Sequence, residues 1–308
     1  MEIVNLKHPE KPFPAVPSAL CLGHFDGVHQ GHRALIRELK QINAGLRPRL
    51  PLGALCFTEP PALALGQTPP PQLTTLHEKL RLLGEAGLDF AILYRFSDIK
   101  DLAPREFVEK ILIEECRCRV AVCGFNYSFG KGGAGTAKDL AAWMGEHGLT
   151  ASIVEPVTDG IHTVSSSLIR SMLERGHPED AARLMGHPYT LTGKVRAGKH
   201  LGRVMGFPTA NLYFPGLSLV PARGVYAVRV HLGRRTYAGI SNVGIRPTFA
   251  DGKHVTCETF LFDFNGDLYR RELRISFLHF LRPEIRFRSI EALEKQIRLD
   301  IEHAKAYF

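Results

Sequence analysis

The chain has 308 residues, 44% of them apolar and 23% charged, which is long enough to predict two cores rather than one. No apolar run reaches the roughly 18 residues of a membrane-spanning helix, and Met1-Glu2-Ile3-Val4-Asn5-Leu6-Lys7 lacks the charged and apolar regions of a secretion signal, so a cytoplasmic location is expected. The formal net charge of +8 is unevenly spread, with 20 Lys and Arg against 21 Asp and Glu in residues 1–187 and 19 against 10 in residues 188–308, a step that predicts two folding units.

Up to about residue 187 strands alternate with helices. Apolar runs predict strands at 18–23, 52–57, 89–94, 119–123 and 150–155. Helical periodicity predicts helices at 30–43, 75–86, 104–115, 136–147 and 166–175, with a short one at 178–185. Thr75-x-x-Glu78 reads as a capping box, and Pro178 fits a first helical turn. The alternation predicts an α/β fold with a doubly wound parallel sheet, whose ligands bind at the carboxyl ends of the strands. After Pro188 the period changes to two, at 189–196, 224–232, 236–242, 255–263 and 272–280, with Tyr226, Val228, Val230 and Leu232 on one strand face. Ile290, Leu293, Ile297 and Ile301 then form an apolar stripe behind Ser289, a suitable N-cap. This half predicts a small antiparallel β-barrel closed by a C-terminal helix.

The six cysteines, at 21, 56, 116, 118, 123 and 257, include no C-x-x-C and read as reduced, buried thiols; the spacing of Cys116, Cys118 and Cys123 is wrong for tetrahedral zinc. The basic second half suits nucleic acid, phosphorylated small molecules or a solvated face. It lacks the repeat of basic and exposed aromatic residues of an RNA platform. Small-molecule substrates are therefore expected, with neither nucleic acid nor membrane as partner.

Gly23-His24-Phe25-Asp26-Gly27-Val28-His29-Gln30-Gly31-His32 carries the most chemistry. It links a buried strand to a helix start, where free N–H groups and the helix dipole favour an anion. His29 and His32 share one side of that first turn. Gly27 and Gly31 would let a phosphate approach the backbone. Asp26 either fixes the turn or contacts a ligand.

Gly130-Lys131-Gly132-Gly133-Ala134-Gly135 formally matches the dinucleotide fingerprint G-x-G-x-x-G. Asn126-Tyr127-Ser128-Phe129 separates it from the preceding strand, however, so a loop lying along a nucleotide or flavin is expected rather than hydride transfer. The hydroxyls of Ser165, Ser166 and Ser167 either cap a helix or join Arg170 in binding phosphate oxygens. In the second half, Thr209 and Asn211 follow the Gly198–Gly206 loop and offer a hydroxyl and an amide oxygen, hard ligands suited to Mg²⁺ carrying ATP phosphates. The chain has no Walker A sequence.

Together these segments resemble the bacterial bifunctional riboflavin kinase/FMN adenylyltransferase (prokaryotic FAD synthetase) family. Residues 23–32 are similar to its G-x-F-D-G-V-H-x-G-H, residues 124–132 to G-x-[DN]-F-x-F-G-x-G, and Val164–Arg170 to I-S-S-T-R-I-R. Residues 202–211 are similar to G-R-x-x-G-F-P-T-A-N, Asn242–Thr248 to N-x-G-x-R-P-T, and Leu278–Arg282 to the end of F-L-H-F-L-R. The chain departs at Ser167, where the family has Thr, at Leu168, where Arg is usual, and at His24, where many members carry Asn.

The resemblance implies a Rossmann-like nucleotidylyltransferase domain at 1–187 and a riboflavin kinase barrel at 188–308. ATP would phosphorylate riboflavin to FMN, and the first domain would adenylylate FMN to FAD with release of pyrophosphate. A kinase with an impaired adenylyl domain is the alternative, motivated by Leu168 and His24. His29, His32 and the carboxylate of Glu258 would be catalytic. Gly23, Phe25, Asp26, Gly31, Asn126, Ser166, Ser167 and Arg170 would contact nucleotide in the first domain, and Gly198, Gly202, Arg203, Gly206 and Pro208 in the second. Asn242, Gly244, Arg246 and Thr248 would contact flavin, and Thr209 and Asn211 would hold Mg²⁺. FMN and FAD would be bound as products.

Overall fold

The apolar runs of the first half become strands covered on both faces. A computed structural model describes residues 1–5, 16–196, 207–214, 216–248 and 252–308, and the chain divides into units Met1–Ser166 and Ser167–Phe308. The first unit contains β1 (Glu2–Asn5), β2 (Ser18–Leu22), α1 (Gln30–Ala44), β3 (Leu52–Phe57), α2 (Pro61–Ala64), α3 (Leu76–Glu85), β4 (Phe90–Tyr94) and α4 (Phe96–Ile99). There follow α5 (Pro104–Glu106), which runs into a π-helix (Phe107–Glu115), then β5 (Cys118–Gly124), the two-residue strands β6 (Ser128–Phe129) and β7 (Gly135–Thr136), α6 (Ala137–Glu146) and β8 (Thr150–Val154).

Six strands pair in the order β1-β4-β3-β2-β5-β8, every pair parallel. Ala19 and Cys21 of β2 pack with Leu35, Ile36 and Leu39 of α1 on one face. Leu20 and Leu22 pack on the other face with the π-helix and with Leu140 and Met144 of α6. That two-sided burial explains why the strand reads as a continuous apolar run. Thr75 caps α3 by accepting the Glu78 N–H. The other half of the predicted capping box is not made, because the Glu78 carboxylate turns to Arg81. β1 was not expected; four residues of it pair with β4.

The second unit begins within α7 (Ser166–Glu174) and continues through α8 (Pro178–Met185), β9 (Tyr189–Arg196), β10 (Thr209–Tyr213), β11 (Gly224–Leu232), β12 (Arg235–Thr248), β13 (Gly252–Leu261), β14 (Glu272–Arg282) and α9 (Ile290–Lys305). The six strands close into an antiparallel barrel ordered β10-β13-β12-β11-β14-β9. Tyr189, Tyr226 and Phe277 are fully buried and pack ring against ring. The opposite face of β11–β13 supplies Val225, Ala227, Ile240 and Phe260, on which Ile297, Ile301 and Ala304 of α9 rest. Ser289 caps α9 as predicted. The Arg282 guanidinium clamps the buried Asp300 carboxylate through Nε–Oδ1 at 2.9 Å and Nη2–Oδ2 at 2.7 Å, fastening the helix to β14.

Two candidate active sites

In the first unit β2 lies between β3 and β5, the point where strand order reverses and a crevice opens at the carboxyl ends. A cleft of about 630 Å³ opens there, lined by residues that follow β2, β5 and β8. Of the predicted residues it brings together Gly23, His29, Gly31, His32, Asn126 and Ser166. Ser167 and Arg170, on the same helix as Ser166, fall in the second unit.

The turn between β2 and α1 is tightly wound, with positive φ at Phe25 (54°), Gly27 (83°) and Val28 (40°). The segment before α3 holds it in that shape. Asp26 Oδ1 accepts the N–H groups of Leu73 (2.9 Å) and Thr74 (3.1 Å), and the Gly27 N–H donates to Thr74 Oγ1. Ser166 Oγ donates to the Asp26 carbonyl, and His24 Nε2 pairs with Gln72 Oε1 at 3.2 Å. Asp26 is 1% exposed, and its carboxylate fixes the turn from behind. Phe25 is likewise fully buried, its ring 5.1 Å from that of His32. It supports the histidine and does not line the cleft.

The two glycines have reasons other than phosphate access alone. A Cβ on Gly27 would lie 2.8 Å from Leu73 Cδ1, on a backbone that already requires positive φ. A Cβ on Gly31 would lie 3.0 Å from His29 Cε1. Gly31 therefore clears the space in which the His29 ring stacks on His32, centroids 3.8 Å apart. No side chain caps α1 and no acidic residue lies in its first turn, so its N–H groups and dipole remain suited to an anion. Burial holds His32 well below the usual histidine range, reinforced by His29, Lys79 and His24.

The glycine cluster is a hairpin. β6 pairs with β7 across a turn in which Gly130, Gly132 and Gly133 have φ of 72°, 65° and 68°. This hairpin stands between β5 and α6, so the direct strand-to-helix turn of a dinucleotide fingerprint is not made. The far side of the cleft is aromatic, with Phe57, Phe96, Phe107, Phe125, Tyr127 and Phe129. Three of these, Phe57, Phe96 and Phe107, come from segments that the sequence reading did not link to the site.

In the barrel, Pro208, Thr209 and Asn211 line a second cleft, of about 510 Å³, with the loop Phe264–Tyr269. Thr209 and Asn211 sit on strand β10 rather than on a loop. Asn211 is registered against Glu258 of β13, and Glu258 against Asn242 of β12. Directly opposed residues share a sheet face, so one row of three strands presents an amide, a carboxylate and a second amide. Gly244 is two residues along from Asn242, beside the Glu284 carboxylate. Arg246 and Thr248 continue β12, paired with His254 and Gly252. Gly198, Gly202, Arg203 and Gly206 lie outside the described residues.

An α/β sheet with a histidine-bearing helix start at its switch point, joined to a six-stranded barrel with an Asn–Glu–Asn row, defines a two-domain protein of nucleotide-dependent transferase type. Comparison with known proteins narrows this. The family model described as FAD synthetase matches residues 14–168, and the one described as riboflavin kinase matches residues 185–308. Bifunctional riboflavin kinase/FMN adenylyltransferases of Listeria monocytogenes and Escherichia coli K12 are 34% and 35% identical, each alignment covering all of this chain and 98% of the relative. A Streptococcus pneumoniae crystal structure titled as a macrolide-efflux protein superposes with a TM-score of 0.91 at 31% identity, over the whole of both chains. Among the described residues of this chain, no helix is long and apolar enough to cross a membrane. The chain belongs to the bifunctional riboflavin kinase/FMN adenylyltransferase family.

Proposed function

We propose that the chain phosphorylates riboflavin to FMN in its barrel and adenylylates FMN to FAD in its α/β domain, with functional division at 187/188. The observation that carries this is the paired construction just described: an anion-suited helix start with stacked histidines in one domain, and an oxygen-rich row beside a cleft in the other. Matches to both family models favour two activities over a kinase with an impaired adenylyl domain.

In the kinase step, Glu258 would take the proton of a ribityl hydroxyl as its oxygen bonds to the γ-phosphorus of ATP and ADP leaves. Thr209, Asn211 and the adjacent carboxylate offer only oxygen donors, which fits Mg²⁺. Thr209 and Asn211 would hold the ion, whose charge would offset that of the ATP phosphates. Pro208 would border the nucleotide with Gly198, Gly202, Arg203 and Gly206, while Asn242, Gly244, Arg246 and Thr248 would face the flavin.

In the adenylyl step, an FMN phosphate oxygen would bond to the α-phosphorus of ATP while the bond to the pyrophosphate oxygen breaks. Imidazole N–H groups of His29 and His32, with the α1 N–H groups, would stabilise the charge on the phosphates. Gly23, Gly31, Asn126, Ser166, Ser167 and Arg170 would bound the nucleotide, and the aromatic wall suits a flavin ring. Six buried free thiols support a cytoplasmic location. Incubation with riboflavin, ATP and Mg²⁺, followed by chromatography, should yield FMN and then FAD. FMN without FAD would defeat the two-activity reading.

A further inference from the structure

Strands β9, β14, β11 and β12 present a polar outer face that belongs to neither cleft. Leu191, Val228, Val230, Ile275 and Phe277 are buried inside the barrel, so alternation along each strand sends their neighbours outward. Register arranges these neighbours in two rows. Arg274 of β14 stands between Thr192 of β9 and His231 of β11, and Ser276 stands between Thr190 and Arg229. His231 is in turn opposite Thr236 of β12. The uncharged groups are already joined across all four strands. Thr190 Oγ1 donates to the Pro188 carbonyl at 3.1 Å and pairs with Ser276 Oγ at 2.9 Å. Ser276 Oγ pairs with His231 Nε2 at 3.1 Å, and His231 Nδ1 with Thr236 Oγ1 at 3.2 Å. The guanidiniums are not joined to anything comparable. Among the described residues no ion pair holds Arg229 or Arg274, and Arg274 Nε is enclosed without a hydrogen-bond partner. Glu272, the next outward residue of β14, is opposite Lys194.

We propose that this face is a binding site for a phosphate group, in which the Arg229 and Arg274 guanidiniums hold the anion over the Thr190–Ser276–His231–Thr236 chain. Arg229 and Arg274 occupy diagonal positions on paired strands, which sets their Cβ atoms about 7–8 Å apart. At that spacing the two cations repel, and an enclosed donor without an acceptor adds its own cost. One dianion met by both forks relieves both. Tetrahedral oxygens point in enough directions to serve two guanidiniums from different strands, whereas the two coplanar oxygens of a carboxylate are taken up by one fork. The two rows contain no Phe, Tyr or Trp on which a base could stack, so a single phosphate group fits the face better than a nucleic-acid strand. None of these residues lines either cleft. The site also gives a use to part of the basic excess of residues 188–308, where 19 Lys and Arg face 10 Asp and Glu.

The test titrates inorganic phosphate into the full-length protein at fixed pH, with sodium chloride holding the ionic strength, while histidine ring resonances are followed by NMR. The His231 signals, assigned by their loss in His231→Gln, should shift saturably with a midpoint of about 1 mM. Arg229→Gln and Arg274→Gln should each raise that midpoint by about tenfold or more. Arg229 is exposed, so its replacement keeps the test available should Arg274→Gln fail to fold. His32→Ala and Glu258→Gln, which alter the two clefts, should leave the His231 midpoint at its wild-type value. Glycerol phosphate in place of inorganic phosphate separates the two sources of the group. An equal midpoint assigns the site to a phosphate monoester, and a much higher one to the free ion. A His231 shift that stays linear in phosphate, or that is the same in wild type and both arginine variants, would overturn the proposal. So would single-stranded RNA that shifts His231 at lower concentration than phosphate and more tightly as the strand lengthens.

Discussion

In the α/β unit the candidate site is made of turns, whereas in the barrel it is made of register. His29, His32 and Gly31 reach the first cleft because a ten-residue segment winds through positive φ and is bonded from behind by Asp26. Asn211, Glu258 and Asn242 meet because three antiparallel strands align one residue of each. The first kind of site is local in sequence and demands particular backbone conformations, so single glycines matter. The second draws on residues 47 positions apart, tolerates varied neighbours, and depends on the barrel staying closed. The two should therefore fail separately, and in different ways.

The sharpest separation comes from Glu258→Gln, which keeps the registered row but removes the base. FMN formation should fall by about 10²–10⁴-fold, with FAD formation from supplied FMN unchanged. Equal losses in both steps would show that the sites are not independent. His32→Ala should do the reverse, lowering FAD formation by about 10²–10³-fold while FMN still accumulates at the wild-type rate.

Asp300→Ala probes the barrel's dependence on closure. It removes the two charge-assisted hydrogen bonds between the half-buried Arg282 guanidinium and α9, at a cost of about 1.5–3 kcal/mol. Urea unfolding should show an earlier transition with a specific loss of FMN formation. A midpoint within error of wild type would remove this clamp from the account.

The smallest effect separates the units by pH. Unfolded, His32 protonates near the ordinary value of about 6.5; folded, burial and its neighbours keep it neutral to lower pH. Below about 6.5 the unfolded chain binds the extra proton, so this contribution is whole above that pH and is lost as pH falls toward the lowered folded value. Urea midpoints of His32→Asn should fall less steeply on acidification than those of wild type. Parallel curves would contradict the assignment.

Much of this was legible in the sequence because period and punctuation agreed with the fold. The switch from alternating strand and helix to period two at about Pro188 marked the change of architecture, and the H-x-x-H turn lies where a doubly wound sheet places its ligands. What escaped has physical causes. Strand β10 is five residues between prolines, too short for a period-two signal, so no strand was expected at Thr209 and Asn211. The Asn211–Glu258–Asn242 row exists only through pairing, which no local pattern encodes. No local pattern encodes the burial of Lys79 on α3, because burial of a cation is decided by what packs over it. The glycine hairpin at 130–135 mimicked a fingerprint by letter alone, since loop geometry rather than spacing decides what such glycines do.

The central claim is that one chain carries two transfers, the second consuming the product of the first. Riboflavin incubated with Mg²⁺ and ATP labelled at either the γ- or the α-phosphorus reads both at once. The account predicts γ-label in FMN and in FAD, and α-label in FAD alone. Gamma-label in FMN with no α-label in any flavin would contradict it.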